Sequence, residues 1–78
     1  MRSIHDPRYK DLIKKLIELR ESKYVTQVEL AQRLVKHQSY VSKVETLERR
    51  LDVIELVDWL KALNVEIGEF VNQIKLYN

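Results

Sequence analysis

Residues 26–45 read TQVELAQRLVKHQSYVSKVE, and this stretch decides the fold. Thr26 followed by Glu29 is the pairing of a helix N-cap with a carboxylate one turn later. Val28, Leu30, Ala31 and Leu34 then supply an apolar side at helical spacing. Val35-Lys36-His37 interrupts the pattern, and it restarts at Gln38 as QSYVSKVE with Val41 and Val44 as its apolar pair. The reading is two short helices joined by a three-residue turn. Ala31 is small enough to let a neighbouring helix approach closely.

Helical patterning continues on both sides. Asp6 is a favourable N-cap and Pro7 suits the first helical position, so a helix is expected over 7–22. Its inner face is Tyr9, Leu12, Ile13, Leu16, Leu19 and Arg20, with Ile17 beside that stripe. Lys23-Tyr24-Val25 is a connector. After the second and third helices, TLERRL (46–51) reads as another connector. Asp52 caps a fourth helix over 53–63, with Leu56, Trp59, Leu60 and Leu63 turned inward, and Asn64 stops it. A fifth helix is expected over 66–76. There Ile67, Phe70, Val71, Ile74 and Tyr77 form an apolar stripe. The expectation is an all-α chain of five helices, a single domain over 1–78.

Composition agrees. One Gly and one Pro in 78 residues is far below the usual frequencies of about 7% and about 5%. With no cysteine, neither a disulfide nor a thiolate metal site is available. No apolar run approaches the roughly 20 residues of a membrane span, and the first residues do not resemble a signal peptide. The expected setting is soluble and cytoplasmic. Residues 1–50 carry 12 Lys/Arg against 7 Asp/Glu, whereas residues 51–78 carry 2 against 5. That split of +5 and −3 lets one side face phosphates while the other turns away.

On a helix advancing about 100° per residue, Gln38, Ser39, Ser42 and Lys43 share the arc opposite Val41 and Val44. A glutamine bonds adenine bidentately in the major groove, a serine bonds as donor or acceptor, and a lysine reaches guanine or phosphate. Read blandly, the same arc is a solvated helix face.

Taken together, LIELRE (16–21), TQVELA (26–31), QSYVSKVE (38–45), Arg49-Arg50 and LKALNV (60–65) resemble the helix-turn-helix domain of the Cro and phage-repressor type, the xenobiotic-response-element (XRE) family. The likeness spans residues 9–70 with order and spacing intact. It implies a compact, lambda-repressor-like five-helix fold that binds DNA through helices 2 and 3. It also implies a homodimer on a pseudo-palindromic operator, in a bacterial or phage setting. Gln38, Ser39, Ser42 and Lys43 become the base-reading residues. Thr26, Gln27, Lys36, His37, Tyr40, Arg49 and Arg50 become contacts to the DNA backbone, with Gln27 also supporting Gln38. Arg20 and Glu45 are implied to form an ion pair tying helix 1 to helix 3. Two positions depart from the family pattern. Val35 stands where glycine is usual because the backbone there tends to positive φ, and Thr46-Leu47 replaces a pair that is often polar plus glycine.

Val71, Ile74 and Tyr77 are the expected dimer residues, since the stripe runs past what a small core needs. Two readings of function follow. One is a transcriptional regulator, a repressor, whose partners are double-stranded DNA and a second copy. The other is an antitoxin or adaptor of the same fold, whose main partner is a protein such as a toxin, held through Trp59, Ile54 and the acidic C-terminal part. No enzyme is expected: His5 and His37 stand apart without metal-ligand spacing, and one glycine cannot make a phosphate loop. No cofactor, metal or membrane partner is expected.

Overall fold

The computed structural model describes residues 3–74 and is helical, with no strand among them. A single 3-10 turn at Ser3–His5 precedes five α-helices. These are α1 (Pro7–Ser22), α2 (Gln27–Leu34), α3 (Gln38–Glu45), α4 (Val53–Ala62) and α5 (Ile67–Val71).

The helix starts follow their capping chemistry. The Asp6 carboxylate accepts from Arg8 N–H at 2.8 Å, with Pro7 in the first helical position. Thr26 and Glu29 form a reciprocal capping box: Thr26 Oγ1 accepts from Glu29 N–H at 3.0 Å, and Glu29 Oε1 accepts from Thr26 N–H at 2.8 Å. Asp52 and Glu55 repeat the arrangement at α4. Each box satisfies two backbone donors that a helix start otherwise leaves unpaired.

The helix ends share one device. After α1, α2, α3 and α4 the chain enters the left-handed region at Tyr24 (φ 58°), Val35 (φ 57°), Leu47 (φ 67°) and Asn64 (φ 63°). In each case the next residue's N–H reaches back five residues: Val25 to Arg20 O at 3.1 Å, Lys36 to Ala31 O at 2.9 Å, Glu48 to Lys43 O at 2.8 Å, Val65 to Leu60 O at 2.8 Å. This is the Schellman closure, which satisfies orphan carbonyls and normally uses glycine at the left-handed position. None of the four positions here is glycine. Gly68, the one glycine, sits inside α5 without a positive φ.

Ile13, Leu16, Val25, Leu30, Ala31, Val41, Val44, Leu51, Trp59, Leu60, Leu63 and Phe70 form one core shared by all five helices. α2 packs mainly on α3 and α4, and α1 on α3. Trp59 is fully buried; its Nε1–H donates to Tyr40 Oη at 3.0 Å, and the two rings meet edge to face. Tyr9 Oη accepts from Leu51 N–H at 3.1 Å, fixing the 46–52 connector to α1.

Five expectations need correction. Helix 5 was expected over 66–76, but α5 closes at Val71. Gln73 and Ile74 N–H turn instead to the carbonyls three residues back, and residues 75–76 of that range lie outside the described residues. Helix 4 ends at Ala62, with Leu63 as its C-cap, rather than at Leu63. Val28 is exposed, because it sits about 120° from the centre of the Leu30–Leu34–Ala31 arc. Ile67, at the first position of α5, is exposed while Phe70 alone closes the core. Trp59 is wholly interior and cannot serve as a partner-binding surface residue.

Candidate nucleic-acid interface

α2 and α3 meet across the Val35–His37 turn, and their outward residues form a polar surface. Gln38, Ser39 and Lys43 are exposed on α3, and Ser42 is half-buried on the same side. Val41 and Val44, both fully buried, fix the roll of α3. The four residues chosen as base readers therefore share the outer arc.

A hydrogen-bonded chain runs beneath them. Arg20 Nε donates to Glu45 Oε2 at 2.7 Å and Arg20 Nη2 to Glu45 Oε1 at 3.0 Å. Arg20 Nη1 donates to Val25 O at 2.8 Å. Gln27 Nε2 then donates to Glu45 Oε1 at 2.8 Å, and Gln38 Nε2 donates to Gln27 Oε1 at 3.1 Å. Four residues from three helices are thus coupled, from the buried Arg20 to the exposed Gln38. The bidentate Arg20–Glu45 pair has side chains only 10% and 5% exposed. Such a pair orients helices more than it stabilises them, since desolvation offsets much of its attraction. Its effect on Gln38 is positional: with its own amide N–H committed to Gln27, Gln38 presents its carbonyl and its second N–H outward in a restricted orientation.

The expected backbone contacts divide into several kinds. Thr26, Lys36 and His37 are exposed at the N-terminus of α2 and in the turn, and Gln27 is tied into the network just described. His37 occupies the N-cap position of α3 without a side-chain hydrogen bond. Tyr40 is half-buried with its hydroxyl turned inward to Trp59, so its ring, not its hydroxyl, meets the surface cations. Lys36 Nζ lies 5.3 Å and Arg49 Cζ 4.8 Å from the ring centroid, within cation–π range. Burial, more than any other cause, pushes the Tyr40 phenol above its ordinary pKa. Arg49 is paired bidentately: Nη1 to Glu55 Oε1 at 3.2 Å and Nη2 to Glu55 Oε2 at 2.9 Å. That pairing is the largest cause holding the Glu55 carboxyl below, and the Arg49 guanidinium above, their ordinary ranges. Arg50 is exposed in the same connector.

Sequence reasoning missed two participants. Glu55 drew no reading, although its place three residues after the Asp52 cap is a capping-box signal; nothing in the sequence signals its pairing with Arg49. Arg33, which donates to Ala62 O at 2.9 Å and ties α2 to α4, carries no signal in a linear pattern. Of the expected dimer residues, Val71 is exposed, Ile74 is half-buried against the core, and Tyr77 lies outside the described residues. Among the described residues, no cluster of His, Asp or Glu is placed to hold a metal ion, and no helix is long and apolar enough to cross a membrane.

Comparison with known proteins gives a consistent result. The profile of the helix-turn-helix family matches residues 16–70, which include α2, the turn and α3. No curated protein of established function is significantly similar to the chain. Among solved structures, it is similar to an XRE-family like protein from Pseudomonas syringae pv. tomato str. DC3000. The two are 42% identical with a TM-score of 0.85, over 92% of this chain and 88% of the other. The left-handed turn, the packing of α3 on α2 and the extent of these matches lead to one conclusion: the chain belongs to the XRE-type helix-turn-helix family of DNA-binding regulators.

Proposed function

We propose that the protein is a sequence-specific transcriptional regulator, a repressor that occupies a pseudo-palindromic operator as a homodimer. The observation that carries this is the anchored outer face of α3. Gln38 is oriented through Gln27 and Glu45, with Ser39, Ser42 and Lys43 beside it. In this reading those four residues read base edges, and Thr26, Gln27, Lys36, His37, Tyr40, Arg49 and Arg50 fix the position on the phosphates. Phosphate contacts set register, and base contacts set specificity.

A two-fold pairing would place two copies of α3 about 34 Å apart, one turn of DNA. Large apolar residues left outside the core support a second copy: Val53 and Ile54 on α4 are 69% and 70% exposed, and Ile67 and Val71 on α5 are also exposed. Ile74, half-buried against the core, would contribute less than its place in the stripe suggested. The same exposed Ile54 favours the second reading, an antitoxin or adaptor holding a protein such as a toxin, now without Trp59.

Binding to duplex DNA by the double variant Gln38→Ala/Lys43→Ala separates the two. Loss of operator binding with an intact fold is expected for the regulator. Retained operator binding would refute the assignment of α3 as the reading helix.

A further inference from the structure

Four charged or aromatic side chains from different segments meet at one edge of the proposed DNA surface. Lys36 comes from the turn, Tyr40 from α3, Arg49 from the connector and Glu55 from α4. The two cations share the Tyr40 ring, and the one carboxylate among them takes both Nη groups of Arg49. Arg49 Nη1 is further held by Arg50 O at 2.8 Å. Glu55 also accepts from Asp52 N–H at 3.0 Å to start α4. That capping role needs an acceptor oxygen but not a charge, because glutamine serves in a capping box as well as glutamate. The charge of Glu55 therefore has another consequence.

We propose that Glu55 is an internal competitor for the DNA backbone, holding Arg49 where a phosphate would and weakening binding to every DNA sequence alike. The proposal rests on the DNA-binding reading above. When Arg49 moves from Glu55 to a phosphate, that phosphate releases its cation, but the freed carboxylate stays beside the polyanion and retains one, so Arg49 adds little to net counterion release. The displaced carboxylate then stays near a phosphate and repels it. A brake of this kind lowers general affinity while leaving the base preference of α3 untouched.

The test is titration of a fluorescent random-sequence duplex and a preferred-site duplex over a range of KCl concentrations. The wild-type chain, Glu55→Gln, Arg49→Ala and the double variant are compared. Glu55→Gln keeps the cap and should bind both duplexes about three- to tenfold more tightly at low salt. The slope of log K against log salt should steepen by about 0.9. Adding Arg49→Ala should abolish the gain and restore the shallower slope. Unchanged or weakened binding by a Glu55→Gln chain that melts like wild type would overturn the proposal. Arg49→Ala alone supplies a readout free of any Glu55 variant. It should lower affinity without flattening the slope, and flattening by about 0.9 would overturn the proposal. A wild-type chain that binds no duplex at any salt would sink the DNA-binding reading as well.

Discussion

At the residue scale the turn geometry has a measurable cost. Val35 holds φ 57° and is 87% exposed as a residue, so little packing compensates a β-branched residue in the left-handed region. Val35→Gly should stabilise the fold by about 1 kcal/mol, after allowing for the added freedom of the unfolded chain. For a domain of this size that is a rise of about 4–8 °C in thermal melting. Leu47 shares the conformation but packs against the core, so Leu47→Gly should bring no such gain. Gly68 is the reverse case. A Cβ there meets nothing within 4 Å, and Gly68→Ala should raise stability by up to about 1 kcal/mol. The expectation of a left-handed backbone at position 35 came from the resemblance to the family, in which glycine is usual there. Tyr24 was not legible as left-handed, since a connector read only from composition does not reveal where the helix closes. Arg20 is the opposite kind of residue, buried and committed. Arg20→Ala strands Glu45 and the Val25 carbonyl, and should cost about 3–5 kcal/mol, which chemical denaturation would measure.

Elements whose ends are chemically marked were the legible ones. Asp6-Pro7 and Thr26-x-x-Glu29 defined the starts of α1 and α2, and the observed bounds follow them. The end of α5 was not marked. An apolar stripe from Ile67 to Tyr77 fits a helix, yet it does not require one, and the chain tightens after Val71. Periodicity turned Trp59 inward, as observed; its alternative place in a partner surface fell because the indole N–H finds the Tyr40 hydroxyl inside the fold. Tyr40→Phe should therefore leave a buried donor unpaired and cost about 1–3 kcal/mol. The caps also set an acid dependence. Glu29 is held below its ordinary pKa mainly by the Thr26 N–H, and Glu55 mainly by Arg49. Lowered folded values mean the unfolded chain binds protons first. Stability from these groups is thus present above about pH 4.3 and is lost as pH falls through the folded values. Melts across that window should show less loss for Glu29→Gln than for wild type.

For the whole molecule, the fold was legible and the division of surfaces only partly so. The uneven charge along the chain divides it into a basic part and an acidic part. It could not reveal that Glu55, from the acidic part, reaches Arg49 in the basic one. The outer arc of α3 followed from Val41 and Val44 alone. The resemblance implied Gln27 under Gln38 and Arg20 paired with Glu45, and both are present; the Gln27–Glu45 bond that joins them into one network emerges only from the packing of α1, α2 and α3. Association belongs to this scale too. Ile54→Asp should lower the mass in solution to that of one chain and weaken operator binding without disturbing the core. An unchanged mass would argue against a dimer through α4. The central claim, that α3 reads base sequence, is tested most directly by selecting bound sequences from a random DNA pool at low salt. The wild-type chain should enrich a two-fold symmetric consensus that Gln38→Ala/Lys43→Ala loses; no enrichment by the folded wild-type chain would contradict the claim.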